Sequence, residues 1–161
     1  MCKKYLISIV CKDGHVVTAR STNGDNSNNK FCEKCGVETI SSCESCGTPI
    51  RGDIDDCINF TASPSAPPYC YKCGSMFPWT AKRLKKLEIL LANDIHLNDE
   101  EKEQLLDSAK GIMVEDISAQ LDAAVYVSFF QKAKPELQLA LRSFAVSVAS
   151  QIAMATLSSI I

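Results

Sequence analysis

Phe31-Cys32-Glu33-Lys34-Cys35-Gly36, Cys43-Glu44-Ser45-Cys46-Gly47 and Tyr69-Cys70-Tyr71-Lys72-Cys73-Gly74 repeat one local pattern, a Cys-x-x-Cys pair followed by glycine. Two thiolates at that spacing can face one ion from a single tight turn, and the glycine supplies the permissive backbone such a turn needs. A redox reading of Cys-x-x-Cys calls for a βαβ setting. Three pairs within 42 residues, none in that setting, point to metal instead. A closed structural zinc site takes four ligands, so six paired cysteines leave one site half built. Cys11 and His15 complete it, because they flank the Asp13-Gly14 turn and chelate as a Cys-x-x-x-His pair. The expected ligands of two structural Zn2+ ions are therefore Cys11, His15, Cys32, Cys35, Cys43, Cys46, Cys70 and Cys73. Cys2 and Cys57 have no partner at chelating spacing and read as ordinary thiols, with Cys57 the fallback ligand should His15 be a surface residue.

Two pairings satisfy the ligand count. Sequential pairing joins Cys11/His15 to Cys32/Cys35 and Cys43/Cys46 to Cys70/Cys73. Interleaved pairing joins Cys11/His15 to Cys43/Cys46 and Cys32/Cys35 to Cys70/Cys73. The matched aromatic-Cys-x-x-Cys-Gly knuckles at Phe31 and Tyr69 look like halves of one ribbon, which favours interleaving.

Outward from the knuckles the chain changes character. All nine cysteines lie between Cys2 and Cys73, and the rest of the 161 residues is rich in Leu, Ala, Lys and Glu. That shift predicts a small α+β protein of two modules. Residues 1–79 form a double zinc ribbon of short hairpins and knuckles, and residues 80–161 form an all-α bundle of about four helices. Tyr5–Val10 and Val16–Ala19 read as a hairpin with Cys11 and His15 at its tip. Ser21–Asn29 has no apolar residue and reads as a solvated loop, and Pro64, Pro67 and Pro68 mark a bend. Apolar residues are sparse before Trp79, so this module needs metal staples to fold.

The helical half carries its own punctuation. Thr80 reads as an N-cap with Trp79 stapled onto Leu84, ahead of a Leu84, Leu87, Leu91 stripe. Asn98 with Glu101 reads as a capping box before Leu105, Ala109 and Ile112. A third helix over about Ser118–Lys134 is expected to bury Leu121, Val125 and Phe129. Pro135 then opens a last helix with Leu137, Leu141, Phe144, Val148 and Ile152 on one stripe. Its opposite side adds Val146, Met154, Leu157 and Ile160, so burial on more than one side predicts self-association or a protein partner.

Other classes are weaker. The formal net charge of −2 counts thiols as neutral. Thiolates on one four-cysteine zinc site and one site of three cysteines and a histidine move it to about −5. Bulk charge gives no support to nucleic-acid binding, although Lys82, Arg83, Lys85 and Lys86 form a local basic cluster, read mainly as a solvated face. Arg51 could bind a carboxylate partner, but reads first as packing beside a zinc knuckle. Ser143–Ile161 is 19 residues without a charge, just long enough to cross a bilayer, but its five serines favour a buried bundle helix. Between Lys4 and Cys11 only six residues intervene, too few for the apolar core of an export signal. No Gly-rich phosphate loop or catalytic constellation stands out, and eight ligands on two ions leave no open coordination position. The expectation is a cytoplasmic, non-catalytic zinc protein acting as a protein-interaction or adaptor module. The alternatives are a membrane-associated effector anchored by Ser143–Ile161 and a nucleic-acid-binding ribbon.

The run from Phe31-Cys-x-x-Cys-Gly through Thr39-Ile40, Cys43-x-x-Cys46, Pro49-Ile50-Arg51-Gly52, Cys70-x-x-Cys73-Gly74 and Phe77-Pro78-Trp79-Thr80 resembles an uncharacterised bacterial double-zinc-ribbon family. Its Cys-x-x-Gly-His element is matched by Cys11, Gly14 and His15, and the resemblance implies that His15 is a ligand. The family ends in a helical tail, which here is poorer in charge, and the resemblance implies no activity.

Overall fold

In the computed structural model the described residues are 4–25, 27–55 and 65–160. Cys2, Cys57 and Pro64 lie outside them, and with them the readings made at those positions. The chain forms two compact units, Met1–Ala81 and Lys82–Ile161.

The first unit is organised by one strand. β1 (Tyr5–Cys11) pairs antiparallel with β2 (Val16–Ser21), and also with β3 (Thr39–Ile40) and β4 (Arg51–Ile54). Val10 and Cys11 face Ile40 and Thr39, while Tyr5 and Ile7 face Ile54 and Arg51. The sheet curls until β4 meets β2. A Cβ on Gly52 would fall on the carbonyl of Ala19, so glycine is what permits that approach. Arg20 and Asp53 pair across the same closure at 3.2 Å.

Three hairpin-like knuckles follow, each closed by one bridge: Phe31 with Glu38, Ser42 with Pro49, and Tyr69 with Met76. In each, the glycine amide donates to the first cysteine's carbonyl, at 2.7, 2.8 and 2.9 Å. Gly36, Gly47 and Gly74 all have φ near +70°, a region an L side chain resists. Beneath them Val10, Cys43, Ile50, Cys70, Phe77 and Trp79 pack as one buried cluster. Phe77 and Trp79 stack with centroids 4.7 Å apart, and the Trp79 indole N–H donates to the Pro67 carbonyl at 2.9 Å. The segment 21–29 is not bare loop, since Ser27–Asn29 forms a 3-10 turn.

Among the described residues five α-helices follow where about four were expected: α1 (Pro78–Ala92), α2 (Asp99–Gly111), α3 (Ala119–Lys132), α4 (Pro135–Val148) and α5 (Gln151–Leu157). α1 starts before Thr80, whose hydroxyl donates to the Pro68 carbonyl at 3.0 Å. Trp79 is therefore a helical residue rooted in the first unit's core, not a staple outside the helix. Leu84, Leu87 and Leu91 are buried as the stripe predicts. The capping box at Asn98 and Glu101 forms in both directions, at 2.9 and 3.1 Å, and Leu105, Ala109 and Ile112 are fully buried.

α3 overturns the expected stripe. Phe129 is buried as expected, but Leu121 and Val125 are exposed, and the helix buries Ala119, Ala123, Tyr126 and Phe130 in their place. Small alanines allow close helix approach, and Tyr126 fixes the rotation, because its hydroxyl donates to the Leu141 carbonyl at 2.8 Å. The last expected helix is broken as well. Ala149 and Ser150 are extended, Ser150 caps α5 by accepting from the Ala153 amide at 3.3 Å, and its own amide donates to the Ile112 carbonyl at 2.8 Å. α5 then packs on α3. Leu157 and Ile160 are buried within the chain, while Val146 and Met154 remain exposed. The uncharged tail is thus divided, and among the described residues no helix is long and apolar enough to cross a membrane.

Candidate metal centres

The eight predicted ligands gather as two sets of four. Cys11, His15, Cys32 and Cys35 form one cluster and Cys43, Cys46, Cys70 and Cys73 the other, with all ligand atoms of a cluster within 4.8 Å of one another. The grouping is sequential, which corrects the interleaved pairing. The reason is the register of β1: Cys11 sits opposite Thr39, so the hairpin tip lands beside the first knuckle. The backbone bonds Lys12 N to Glu38 O and Thr39 N to Lys30 O fix that placement at 2.9 and 3.0 Å. The second and third knuckles are left to face each other, with Cys43 and Cys70 in the same core.

The spacing tests the clusters against a real coordination sphere. Metal–sulfur arms of about 2.3 Å on a tetrahedron put sulfurs about 3.8 Å apart, and a nitrogen arm of about 2.0–2.1 Å puts nitrogen about 3.6 Å from sulfur. Cys11 and Cys35 are 3.7 Å apart, Cys43 and Cys73 3.8 Å, and Cys46 and Cys70 3.7 Å. His15 presents Nδ1, at 3.5 Å from Cys11 Sγ and 3.8 Å from Cys32 Sγ. These are tetrahedral edges rather than disulfide distances, and the seven described cysteines are all free thiols. Each cluster can hold one metal ion, and the soft thiolate-rich donor set suits zinc.

Burial is the same in every knuckle. Cys32, Cys43 and Cys70 are buried, and their partners Cys35, Cys46 and Cys73 are exposed. Cys11 is fully buried while His15 is exposed. Each centre therefore anchors in the unit's interior and caps itself at the surface.

Donors that sequence reasoning overlooked support the thiolates. The Thr48 hydroxyl lies 3.2 Å from Cys46 Sγ, and the Ser75 hydroxyl lies 3.3 Å from Cys73 Sγ. Ser75 pulls the Cys73 thiol down to about 6, with its hydroxyl the larger influence and its amide the next. Thr48 lowers Cys46 in the same way, whereas burial raises Cys43. The signal was legible as Cys-Gly-Thr and Cys-Gly-Ser in the second and third knuckles, where the first has Cys-Gly-Val. The His15 amide adds a further donor to Cys11 Sγ at 3.2 Å. Lys12, between the hairpin tip and two knuckles, pairs with Glu38 at 2.9 Å and Glu44 at 3.0 Å.

The remaining candidates fall outside these centres. Arg51 stacks its guanidinium on Tyr71 of the third knuckle. Of the basic cluster, Lys85 pairs with Glu88 on its own helix at 3.0 Å.

A family model for uncharacterized proteins conserved in bacteria (DUF2321) matches residues 4–157, and the chain belongs to that family. No curated protein and no solved structure matches it.

Proposed function

We propose that this member of the family is a non-catalytic zinc protein whose two closed centres hold a rigid recognition surface, and whose helices associate with a second copy or a partner protein. The observation that carries the reading is the ligand arithmetic. Each cluster offers four protein ligands at tetrahedral edges, so a bound zinc has no open position for water or substrate, as a catalytic zinc requires. Among the described residues, four of the first unit's buried apolar positions are the cysteines Cys11, Cys32, Cys43 and Cys70, so its core is built largely around the ligands themselves. Metal then supplies folding energy, on the order of 10–16 kcal/mol per structural site in small zinc peptides.

Self-association or partner binding by the second unit is supported by its apolar surface. Leu121 and Val125 are 71% and 40% exposed at i and i+4 of α3, a spacing that puts them on one face, and Ile117 just ahead of the helix is 88% exposed. Isolated exposed leucines need no explanation, but a face of this kind suits a docking helix.

Metal analysis on protein prepared without chelator tests the first part, with two zinc ions per chain expected. Stripping them should abolish the β signal of the first unit. One ion or none, or an unchanged fold on stripping, would overturn the reading. Solution mass in detergent-free buffer tests association. Salt-dependent retention on DNA or RNA would favour the nucleic-acid alternative.

A further inference from the structure

We propose that the Arg51 guanidinium, clamped between Tyr5 and Tyr71, is a binding site for a carboxylate of a partner polypeptide. The clamp joins three separate pieces of chain. Tyr5 begins β1, Arg51 begins β4, and Tyr71 lies between the two cysteines of the third knuckle. The Arg51 Cζ sits 3.7 Å from the Tyr71 ring centroid and 4.9 Å from that of Tyr5. Two cation–π contacts restrain the side chain, so part of the rotamer entropy an arginine normally loses on binding is already spent.

Among the described residues no carboxylate or carbonyl accepts from the Arg51 guanidinium, and the nearest acid along β4, Asp53, is engaged by Arg20. Arg51 itself is exposed, and Tyr5 and Tyr71 are 49% and 55% exposed. The ring contacts are cation–π contacts rather than hydrogen bonds, so none of the N–H groups is spent on them and they stay available to a ligand. That geometry matches a carboxylate, which a guanidinium holds with two parallel bonds.

The charge count selects the ligand. One guanidinium balances one carboxylate, and the chain's formal charge is already −2 before any thiolate is counted, which disfavours a polyanion. The surroundings indicate a polypeptide. The cation is flanked by two tyrosines, and Ile54, paired with Tyr5 in the sheet, is 38% exposed. Exposed Tyr and Arg on a rigid element are the composition of an interface hot spot. The proposal rests on the reading of the metal unit as a recognition surface, and it names that surface and the chemistry it takes.

The test titrates zinc-loaded full-length protein with the blocked tripeptides Leu-Asp-Leu and Leu-Glu-Leu, their Asn and Gln counterparts, and inorganic phosphate. Side-chain NMR signals of Arg51, Tyr5 and Tyr71 are the readout. The acidic peptides should produce saturable shifts and bind about tenfold or more tightly than the amides, the difference one charge-assisted bidentate contact makes. Arg51→Gln should abolish the shifts, and Tyr71→Leu should weaken them while keeping the cation. Equal response to acid and amide peptides, no saturation, or tighter binding of phosphate would overturn the site. Zinc content of the same samples separates the two levels. Loaded, folded protein that ignores the acidic peptides defeats this site alone, whereas protein that folds without zinc defeats the underlying reading.

Discussion

His15 Nδ1 stands 3.5 Å from Cys11 Sγ, four residues away across a turn that Gly14 takes at φ +92°. The same turn sends the His15 amide to that sulfur at 3.2 Å, so the turn that brings the two ligands together also supports the thiolate. A β-hairpin tip thereby takes the place of a fourth Cys-x-x-Cys knuckle.

His15→Ala should lower zinc occupancy of the first centre and leave the second intact, moving metal content from two ions per chain toward one. In the wild type, ring-nitrogen NMR should find His15 metal-bound through Nδ1 and protonated at Nε2, since Nδ1 is the atom that faces the cysteines. Full retention of both ions in His15→Ala would remove it from the ligand set.

The sequential grouping is separately testable. Cadmium-substituted protein should give two metal resonances. Cys32→Ser or Cys35→Ser should disturb one, and Cys43→Ser or Cys73→Ser the other, because Cys43 and Cys73 share a cluster 3.8 Å apart. Cys32→Ser disturbing the resonance that Cys73→Ser disturbs would restore interleaving. Cys2→Ser and Cys57→Ser should leave metal content unchanged.

Asn98→Ala removes the side-chain half of the capping box that opens α2 and leaves the Glu101 amide without its acceptor. The expected cost is about 1 kcal/mol, or a fall in Tm of roughly 4–8 °C for a unit of this size, with zinc content unaffected. Thermal unfolding followed by helical circular dichroism checks it.

Asp94 gives the helical unit an acid limb. Its burial raises the carboxyl, but the amides of His96 and Leu97, at 2.8 and 3.2 Å, and Lys134 outweigh that and hold it below its ordinary value. A depressed folded pKa stabilises above the unfolded value, and that contribution is lost as pH falls through the ordinary carboxylate range toward the folded pKa. Asp94→Ala should flatten this limb and cost about 1–3 kcal/mol near neutrality by leaving two amides unpaired. An acid-unfolding profile parallel to the wild type would refute the assignment.

For association, Leu121→Glu with Val125→Glu should lower the solution mass without unfolding, because both positions are exposed. Leu157→Glu should unfold the second unit instead, since Leu157 is fully buried within the chain. A wild-type monomer in detergent-free solution would sink the association reading.

Local order determined much of this protein before any contact was considered. The Cys-x-x-Cys-Gly pattern closes on itself within a few residues, so the knuckles, their glycines and their paired ligands were legible from spacing alone. The same holds for the hairpin tip at Cys11 and His15, the capping box at Asn98 and the start of α4 at Pro135. What required the tertiary structure was every choice between locally equivalent partners. Which knuckle meets which depended on the register of β1 against β3, a long-range pairing that no spacing encodes. Which face of α3 is buried depended on the Tyr126 hydroxyl reaching the Leu141 carbonyl, a contact that the i, i+4 spacing of Leu121 and Val125 does not reveal. The break between α4 and α5 arose the same way. Ser150 is one more small residue in an apolar run until the Ile112 carbonyl takes its amide and its side chain is free to cap a new helix.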